Sequence, residues 1–322
     1  MRSNTVVDTN EALAAFEAML EIRLFEEKVL ELHASGRGPG TCTSVGQEAS
    51  AVGVVRALDV RDRVLTNHRS AGHLLARGAD PGRLLAEILG KEAGYCRGRS
   101  GSLHVSAREL GVVLTSTIVG GELSLAPGVA LALAAHDERA IAVCFFGDGA
   151  ACEGVFHESL NLAAVWQLPV LYVCENNQWQ AYVHRRETML VDRVAEWAGR
   201  YGMPSESVDG NDWEAVTRAA RRAVDFVRGE RRPFFLETYT YRLRGHFEPD
   251  TQEYVEPTEL AAWRARDPLA LLERRLVHEG ALDREKLAAI QARAAARIAA
   301  AAEFALAAPY PSVESLTDGV YA

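Results

Sequence analysis

The sequence predicts an α/β fold: a parallel sheet flanked by helices, with a helical C-terminal extension. Three observations point there. Ala140–Phe146 (AIAVCFF) and Val170–Cys174 are continuous apolar runs, the composition of strands covered on both faces. Between them, Glu153–Trp166 carries Phe156, Leu160 and Ala163 on one helical face. The three segments form a strand–helix–strand unit, and the crossover rule for such units makes the two strands parallel. At the far end, Asp283–Ala308 is rich in alanine with interspersed Arg and Glu, which is the pattern of a long packing helix.

The remaining elements follow in order. Asn10–Ala34 places Ala15, Met19, Ile22, Phe25, Val29 and Leu32 at helical spacing, with Asn10 as its cap. Gly36–Gly40 breaks the chain, Gln47–Ala57 resumes an apolar helix, and Asp59–Asp62 ends it. Val64–Thr66 is too short to assign alone. Pro81–Leu89 reads as a helix with proline in its first turn. Gly90–His104, rich in glycine and basic residues, reads as a surface loop. Gly121–Ala135 is again helical. Leu168-Pro169 stops the central helix. Asp212–Gly229 is a helix entered through the turn Val208–Asp212, and Pro233–Thr240 is a third strand. Arg221-Arg222 through Arg231-Arg232 reads as a solvated helix face. Glu248–Pro257 is a polar loop. No repeat or low-complexity linker divides the chain. It reads as one domain, with an α/β core over residues 10–260 and a helical extension over 261–322.

Composition bounds the function. The 322 residues carry 35 Lys+Arg against 44 Asp+Glu, a net charge of −9, with 48% apolar and 25% charged residues. That profile is globular, and its acidic balance gives no reason to expect nucleic acid as a partner. The five cysteines (Cys42, Cys96, Cys144, Cys152 and Cys174) are odd in number and include no CxxC pair. They suggest a reduced, cytoplasmic chain without disulfides, in which Cys144, Cys152 and Cys174 serve as packing residues. Asp8, Glu11 and Glu17 interrupt the apolar pattern of Met1–Leu20, so this stretch is not expected to be a signal peptide. The longest apolar run, Leu123–Ala135, has 13 residues and includes Pro127, too short for a membrane span.

The chemistry gathers at the strand–helix–strand unit. Its first strand ends in Gly147-Asp148-Gly149 and its second in Glu175-Asn176-Asn177. Ligands of parallel sheets bind beyond the carboxyl ends of the strands, so Asp148 and Asn177 reach one edge although 29 residues separate them. A carboxylate, an amide oxygen and a nearby backbone carbonyl are hard donors that suit Mg²⁺ together with phosphate oxygens. Glycines at 147 and 149 would let the backbone approach a diphosphate, and the next helix would offer it free N–H groups. Gly-Asp-Gly alone could be an ordinary helix entry; its pairing with Glu-Asn-Asn after a second apolar strand is the stronger signal.

The segment GDGAACEGVFHESLNLAAVWQLPVLYVCENN resembles the thiamine diphosphate motif of the α subunits of 2-oxo acid and acetoin dehydrogenases, the E1 components. Further matches to this pyruvate dehydrogenase E1 α family are Gly46-Gln47-Glu48, Gly101–His104, Ile118–Gly121, Val208–Asp212 and Tyr241–His246, in family order over nearly the whole chain. The resemblance implies the thiamine diphosphate-binding fold. It implies that Asp148 and Asn177 hold Mg²⁺ through side-chain oxygens and Trp179 through its backbone carbonyl. It implies that Gly149 and Ala150 approach the diphosphate, that Arg69 and His68 lie beside it, and that Thr117 and Val119 face the aminopyrimidine ring. Arg242 and His246 belong to a loop closing over the cofactor, with His246 a candidate for proton transfer near neutral pH. His104 reads equally as a structural hydrogen-bonding residue.

Departures from the pattern bear on the substrate. Cys42-Thr43-Ser44 stands where pyruvate-type members carry His-Leu-Tyr, and Phe247 stands where many members have a serine. His68-Arg69 and Gly245–Glu248 look like the acetoin-type branch. The resemblance therefore implies the α subunit of an oxidoreductase that decarboxylates a 2-oxo acid or cleaves acetoin and passes the acyl unit to a lipoyl acyltransferase (E2). Such a chain needs an E1 β subunit, in an α2β2 heterotetramer, and has no membrane role. The alternative reading is the α subunit of a two-subunit thiamine-dependent carboligase or transketolase-like enzyme that transfers a two-carbon unit to an aldehyde.

Overall fold

The computed structural model describes residues 7–136 and 139–320. Residues 1–6 of the Met1–Leu20 stretch and residues 321–322 of the C-terminal extension lie outside the described residues. The centre is a six-stranded sheet built from β1 (Arg63–Asn67), β2 (Val112–Ser116), β3 (Ala142–Gly147), β4 (Val170–Asn176), β7 (Ser205–Asp209) and β8 (Phe234–Tyr239). A small hairpin, β5 (Trp179–Gln180) and β6 (Val183–His184), follows β4. The spatial order is β2-β1-β3-β4-β8-β7, and every pairing in it is parallel.

Alternation along the strands feeds two cores. Val143 and Phe145 of β3 join Leu171, Val173 and Leu236 on one face. Helices Thr9–Ala34, Glu48–Val55, Trp213–Glu230 and Arg284–Ala307 cover that face through Phe25, Val54, Val216 and Ile298. Cys144 and Phe146 point the other way, with Tyr172, Cys174 and Phe235, against Leu123 of helix Gly121–His136 and Phe156 and Leu160 of helix Gly154–Val165. A third cluster joins Phe16, Met19 and Ile22 of the N-terminal helix to Leu272, Leu276 and Ile290, so the C-terminal helices share a core with the beginning of the chain.

The strand–helix–strand unit and the third strand form as predicted. Other elements differ. The first helix begins at Thr9 with Asp8 as its N-cap, so Asn10 lies inside the helix instead of capping it. Val64–Thr66 becomes part of β1 because β2 and β3 pair with it on either side. Helices Pro257–Arg264 and Pro268–His278 each start on a proline; the second is capped by Asp267, which accepts from Leu269 N at 2.9 Å. The arginine run is not simply solvated. Arg228 donates to the fully buried carboxylate of Asp62 at 2.8 Å, Arg222 pairs with Glu206, and Arg221 pairs with Glu11. Asp212 caps its helix as the turn implied, accepting from Glu214 N and Ala215 N. The Gly90–His104 segment wraps around the buried Glu87, whose carboxylate accepts from the backbone N–H groups of Cys96, Gly98 and Ser100 and from the Ser100 hydroxyl. Gly98, at φ +73°, would put a Cβ 2.5 Å from the Gly90 carbonyl, so this winding requires glycine. All five cysteines are free thiols.

Candidate active site

The chain runs from β1 outward to β2, then crosses back over β1 to β3. That reversal opens a crevice between the carboxyl ends of β1 and β3, where parallel α/β sheets bind ligands. A cavity of about 440 Å³ lies there. Its walls are strand ends: Asn67-His68-Arg69 after β1, Ser116–Val119 after β2, Gly147–Ala150 after β3, Asn177 and Trp179 after β4, and His246 from the segment after β8. Of the metal- and cofactor-site residues the resemblance implies, all but Arg242 line it, and His104 lies outside it as well.

Register fixes the acidic side. Gly147 pairs with Glu175 across β3 and β4, so the next residues leave the sheet together. Asp148 Oδ1 accepts from Asn177 N at 3.2 Å. Asp148 Oδ2 is buried with no partner, and burial pushes the carboxyl up to about 6. Asn177 Oδ1 accepts from Trp179 N at 3.2 Å, while its amide donates to Gln47 Oε1 at 3.2 Å. The Trp179 indole is tied elsewhere, donating to the Tyr241 hydroxyl at 2.8 Å. An orphaned buried carboxylate oxygen beside an amide oxygen is the donor chemistry that a hard divalent cation satisfies, so these residues fit Mg²⁺. Asp148 does not act as a helix cap; its bonded oxygen is spent across the strands on Asn177. Gly147 and Gly149 are not required by backbone strain. An added Cβ would meet other protein atoms only at 3.9 Å and 3.5 Å, so what these glycines contribute is open cavity wall.

Tertiary contacts build the basic side. Arg69 is buried; Nη1 donates to Thr43 O at 2.9 Å, and Nη2 to His246 O at 2.7 Å, with His246 Nδ1 at 3.1 Å. Arg242, 1% exposed, stands behind His246. Its Nη1 lies 3.3 Å from Nδ1, and its Nη2 donates to Ala181 O and to the Tyr254 hydroxyl. Arg242 Nε has no partner. Burial and the neighbouring Arg242 charge lower Arg69 to about 10. Burial, Arg69 and Arg242 hold His246 down at about 4, and burial with the same neighbours lowers His68 to about 3. Both imidazoles are therefore neutral at pH 7 in the ligand-free chain, where the two arginines face His246. With two guanidiniums donating towards Nδ1, its proton belongs on Nε2. Two buried guanidiniums pressed together favour an anion between them, which fits a diphosphate.

Several residues escaped the sequence reading or take another place. Cys152 is exposed and lines the cavity, 3.3 Å from Gln180 Nε2, and is not a packing residue; Cys144 and Cys174 are. Thr117 reaches His104 at 3.3 Å, the structural bond allowed for that histidine. Gln47 and Glu122 line the cavity with buried, unpartnered polar atoms. Cys42 also lines it, and burial pushes its thiol up. Burial raises Glu26, which accepts from Ser44 N and Oγ, to about 7.

Residues 17–314 match the model of the dehydrogenase E1 component family. The chain belongs to the dehydrogenase E1 component family. It is 39% identical over 322 residues to the α subunit of an acetoin:2,6-dichlorophenolindophenol oxidoreductase of Bacillus subtilis, covering 99% of this chain and 96% of that one. It is 39% identical over 320 residues to the subunit of the same name in Cupriavidus necator, covering 98% and 95%. A pyruvate dehydrogenase E1 component α subunit of Rhizobium meliloti is 36% identical over 306 residues, covering 94% and 88%. The dehydrogenase E1 match thus takes in all six strands and the whole cavity wall.

Proposed function

We propose that this E1 chain is the α half of a thiamine diphosphate- and Mg²⁺-dependent dehydrogenase acting on acetoin or a 2-oxo acid. The observation that carries the reading is the buried, unpartnered Asp148 Oδ2 beside Asn177, in the same cavity as Arg69 and His246. When bound, the cofactor supplies carbanion chemistry that amino-acid side chains lack. The chain's own task is binding and electrostatics. Asp148, Asn177 and the Trp179 backbone hold the metal, and Gly149 and Ala150 leave room for the diphosphate. Arg69 and Arg242 neutralise it, while His68, Thr117 and Val119 line the rest of the pocket. His246 offers its Nε2 proton as a hydrogen-bond donor, and an anion nearby raises its pKa from the low value set by the two arginines. The two acetoin oxidoreductase α subunits among its relatives favour acetoin over a 2-oxo acid.

The surface supports a β partner. Ile118 and Val119, at the cavity wall, are 68% and 51% exposed. Helix Gly121–His136 is apolar on nearly every side, yet Leu125 and Leu131 face outward, as do Val165 and Trp166 of the neighbouring helix end. An apolar helix left uncovered marks an interface. The names of the relatives as α subunits and E1 components support a β partner and an E2, and we place these in an α2β2 assembly that delivers its acyl unit to a lipoyl E2. The free cysteines suit the reducing cytoplasm; among the described residues no helix is long and apolar enough to cross a membrane. Co-expression with an E1 β subunit, followed by turnover assays on acetoin, pyruvate and branched 2-oxo acids with an artificial electron acceptor, tests the reading. Turnover of acetoin by the complex and not by the α chain alone is expected; full activity of the α chain alone refutes it.

A further inference from the structure

The chain enters the hairpin β5–β6 through a strained residue. Gln178 lies at φ +73°, the left-handed region that favours glycine, and Ala181 leaves β5 at φ +51°. A non-glycine residue keeps such a backbone only where its surroundings hold it. Gln178 is held on both sides. Its Nε2 donates to Asn176 O at 3.0 Å and to Asn176 Oδ1 at 2.9 Å. Its Oε1 accepts from Arg185 Nε at 2.6 Å, and its backbone carbonyl accepts from Arg185 N at 3.0 Å. Gln178 and Arg185 are both buried. Arg185 is anchored in turn, pairing with Asp192 and donating to the Tyr239 hydroxyl at 3.0 Å. Asn176 donates to the buried Glu237 at 2.7 Å. The strained residue is thus tied between the end of β4 and the return strand of the hairpin.

The ladder then orients the next residue. Trp179 stands opposite His184, one step after the bonded pair Gln178 and Arg185. In an antiparallel ladder bonded and non-bonded pairs alternate, so Trp179 turns its N–H and C=O away from β6. Its N–H accordingly donates to Asn177 Oδ1, and its carbonyl points to that same side. We propose that Gln178 and Arg185 are positioning residues that hold the left-handed turn and so aim the Trp179 carbonyl at the Mg²⁺ site of Asp148 and Asn177. This rests on the cofactor and metal reading above. Neither residue lines the cavity. A change in either therefore acts on the metal through the backbone or, for Arg185, through the charge it also exerts on Asp148.

The test is calorimetry of thiamine diphosphate binding to the reconstituted αβ complex over a range of Mg²⁺ concentrations. Gln178→Ala keeps the strain and loses the side-chain anchors. The Mg²⁺ concentration for half-maximal binding is expected to rise about tenfold, with affinity recovering at high Mg²⁺. Gln178→Gly loses the same anchors but adopts the left-handed backbone without strain, and stays within about threefold of wild type. Arg185→Met separates aim from charge and serves also should Gln178→Ala fail to assemble. Loss of a cation near Asp148 would by itself tighten Mg²⁺, whereas loss of aim weakens it, and weakening is expected. The inference is overturned, with the cofactor reading left standing, by an unchanged Mg²⁺ requirement in Gln178→Ala or a loss of affinity that high Mg²⁺ does not recover. An equal rise in Gln178→Gly, or tighter Mg²⁺ in Arg185→Met, overturns it too. A wild-type complex that does not bind thiamine diphosphate, or binds it equally without Mg²⁺, overturns both.

Discussion

The two halves of the cavity are held in different ways. Asp148 and Asn177 follow paired strands, and the register that sets Gly147 against Glu175 delivers them to one place. Arg69, Arg242 and His246 hold one another. Arg69 bridges Thr43 and His246, Arg242 is tied to Ala181 and Tyr254, and Asp250 accepts from His246 N at 2.5 Å. Backbone pairing sets the geometry of the metal half. The basic half is a network of buried cations whose mutual repulsion is relieved by an anion. Losses in the first half should therefore be local and severe, and losses in the second graded and sensitive to pH.

The largest effect is expected at Asp148. Asp148→Ala in the αβ complex should lower turnover at a fixed, subsaturating cofactor concentration on the order of a hundredfold, with recovery only at high Mg²⁺ and cofactor. Retention of wild-type turnover would remove the metal half. Next comes Arg69→Met, which deletes a buried cation and its bonds to Thr43 O and His246 O; a rise of about tenfold in the cofactor concentration for half-maximal activity is expected. Tyr254→Phe removes bonds to Arg242 and Asp250 and leaves the strand-held half untouched. It should cost about threefold in cofactor affinity, with unchanged Mg²⁺ dependence, in a fluorescence titration. An altered Mg²⁺ requirement would show that the two halves are not separable.

The smallest effect is on stability. Glu26 and Glu122 titrate near 7 and 8 in the fold, against 4.5 for an ordinary glutamate. Above the ordinary value the unfolded chain has released protons that the folded chain still holds, so stability falls as pH rises through these raised values and levels off beyond them. The buried neutral histidines, His68 and His246, act in the opposite sense, but only below their ordinary value of 6.5. The melting temperature of the ligand-free protein should therefore drop by a few degrees between about pH 6.5 and 8.5, and Glu122→Gln should flatten the upper part of that fall. An equal slope in that variant would deny Glu122 its raised value.

What the sequence reveals follows the same division. Strands buried on both faces announce themselves as apolar runs, and Asp148 and Asn177 stand immediately after such runs, so these two are legible from spacing, while Trp179 enters only through the family resemblance. The edge strand β7, Ser205–Asp209, alternates exposed and half-buried positions in a polar sequence and is not legible. Strand β2 is visible only through its pairing with β1. Arg69 looks like any surface arginine until the fold sets it against His246, 177 residues away. Glu122 looks like an acid placed to favour a helix start, because burial and the want of a partner are properties of the packed chain. Cys152 follows an apolar strand closely enough to be taken for core, yet the turn after Ala151 carries it to the surface.

The central claim is that one cavity joins a strand-held metal site to a loop-held diphosphate site. Calorimetric titration of thiamine diphosphate into the αβ complex, with and without Mg²⁺, tests it most directly when wild type is compared with Asp148→Asn. Saturable binding that requires Mg²⁺ in the wild type and is lost in Asp148→Asn is the predicted result. Equal affinity with and without the metal, or in both proteins, would contradict it.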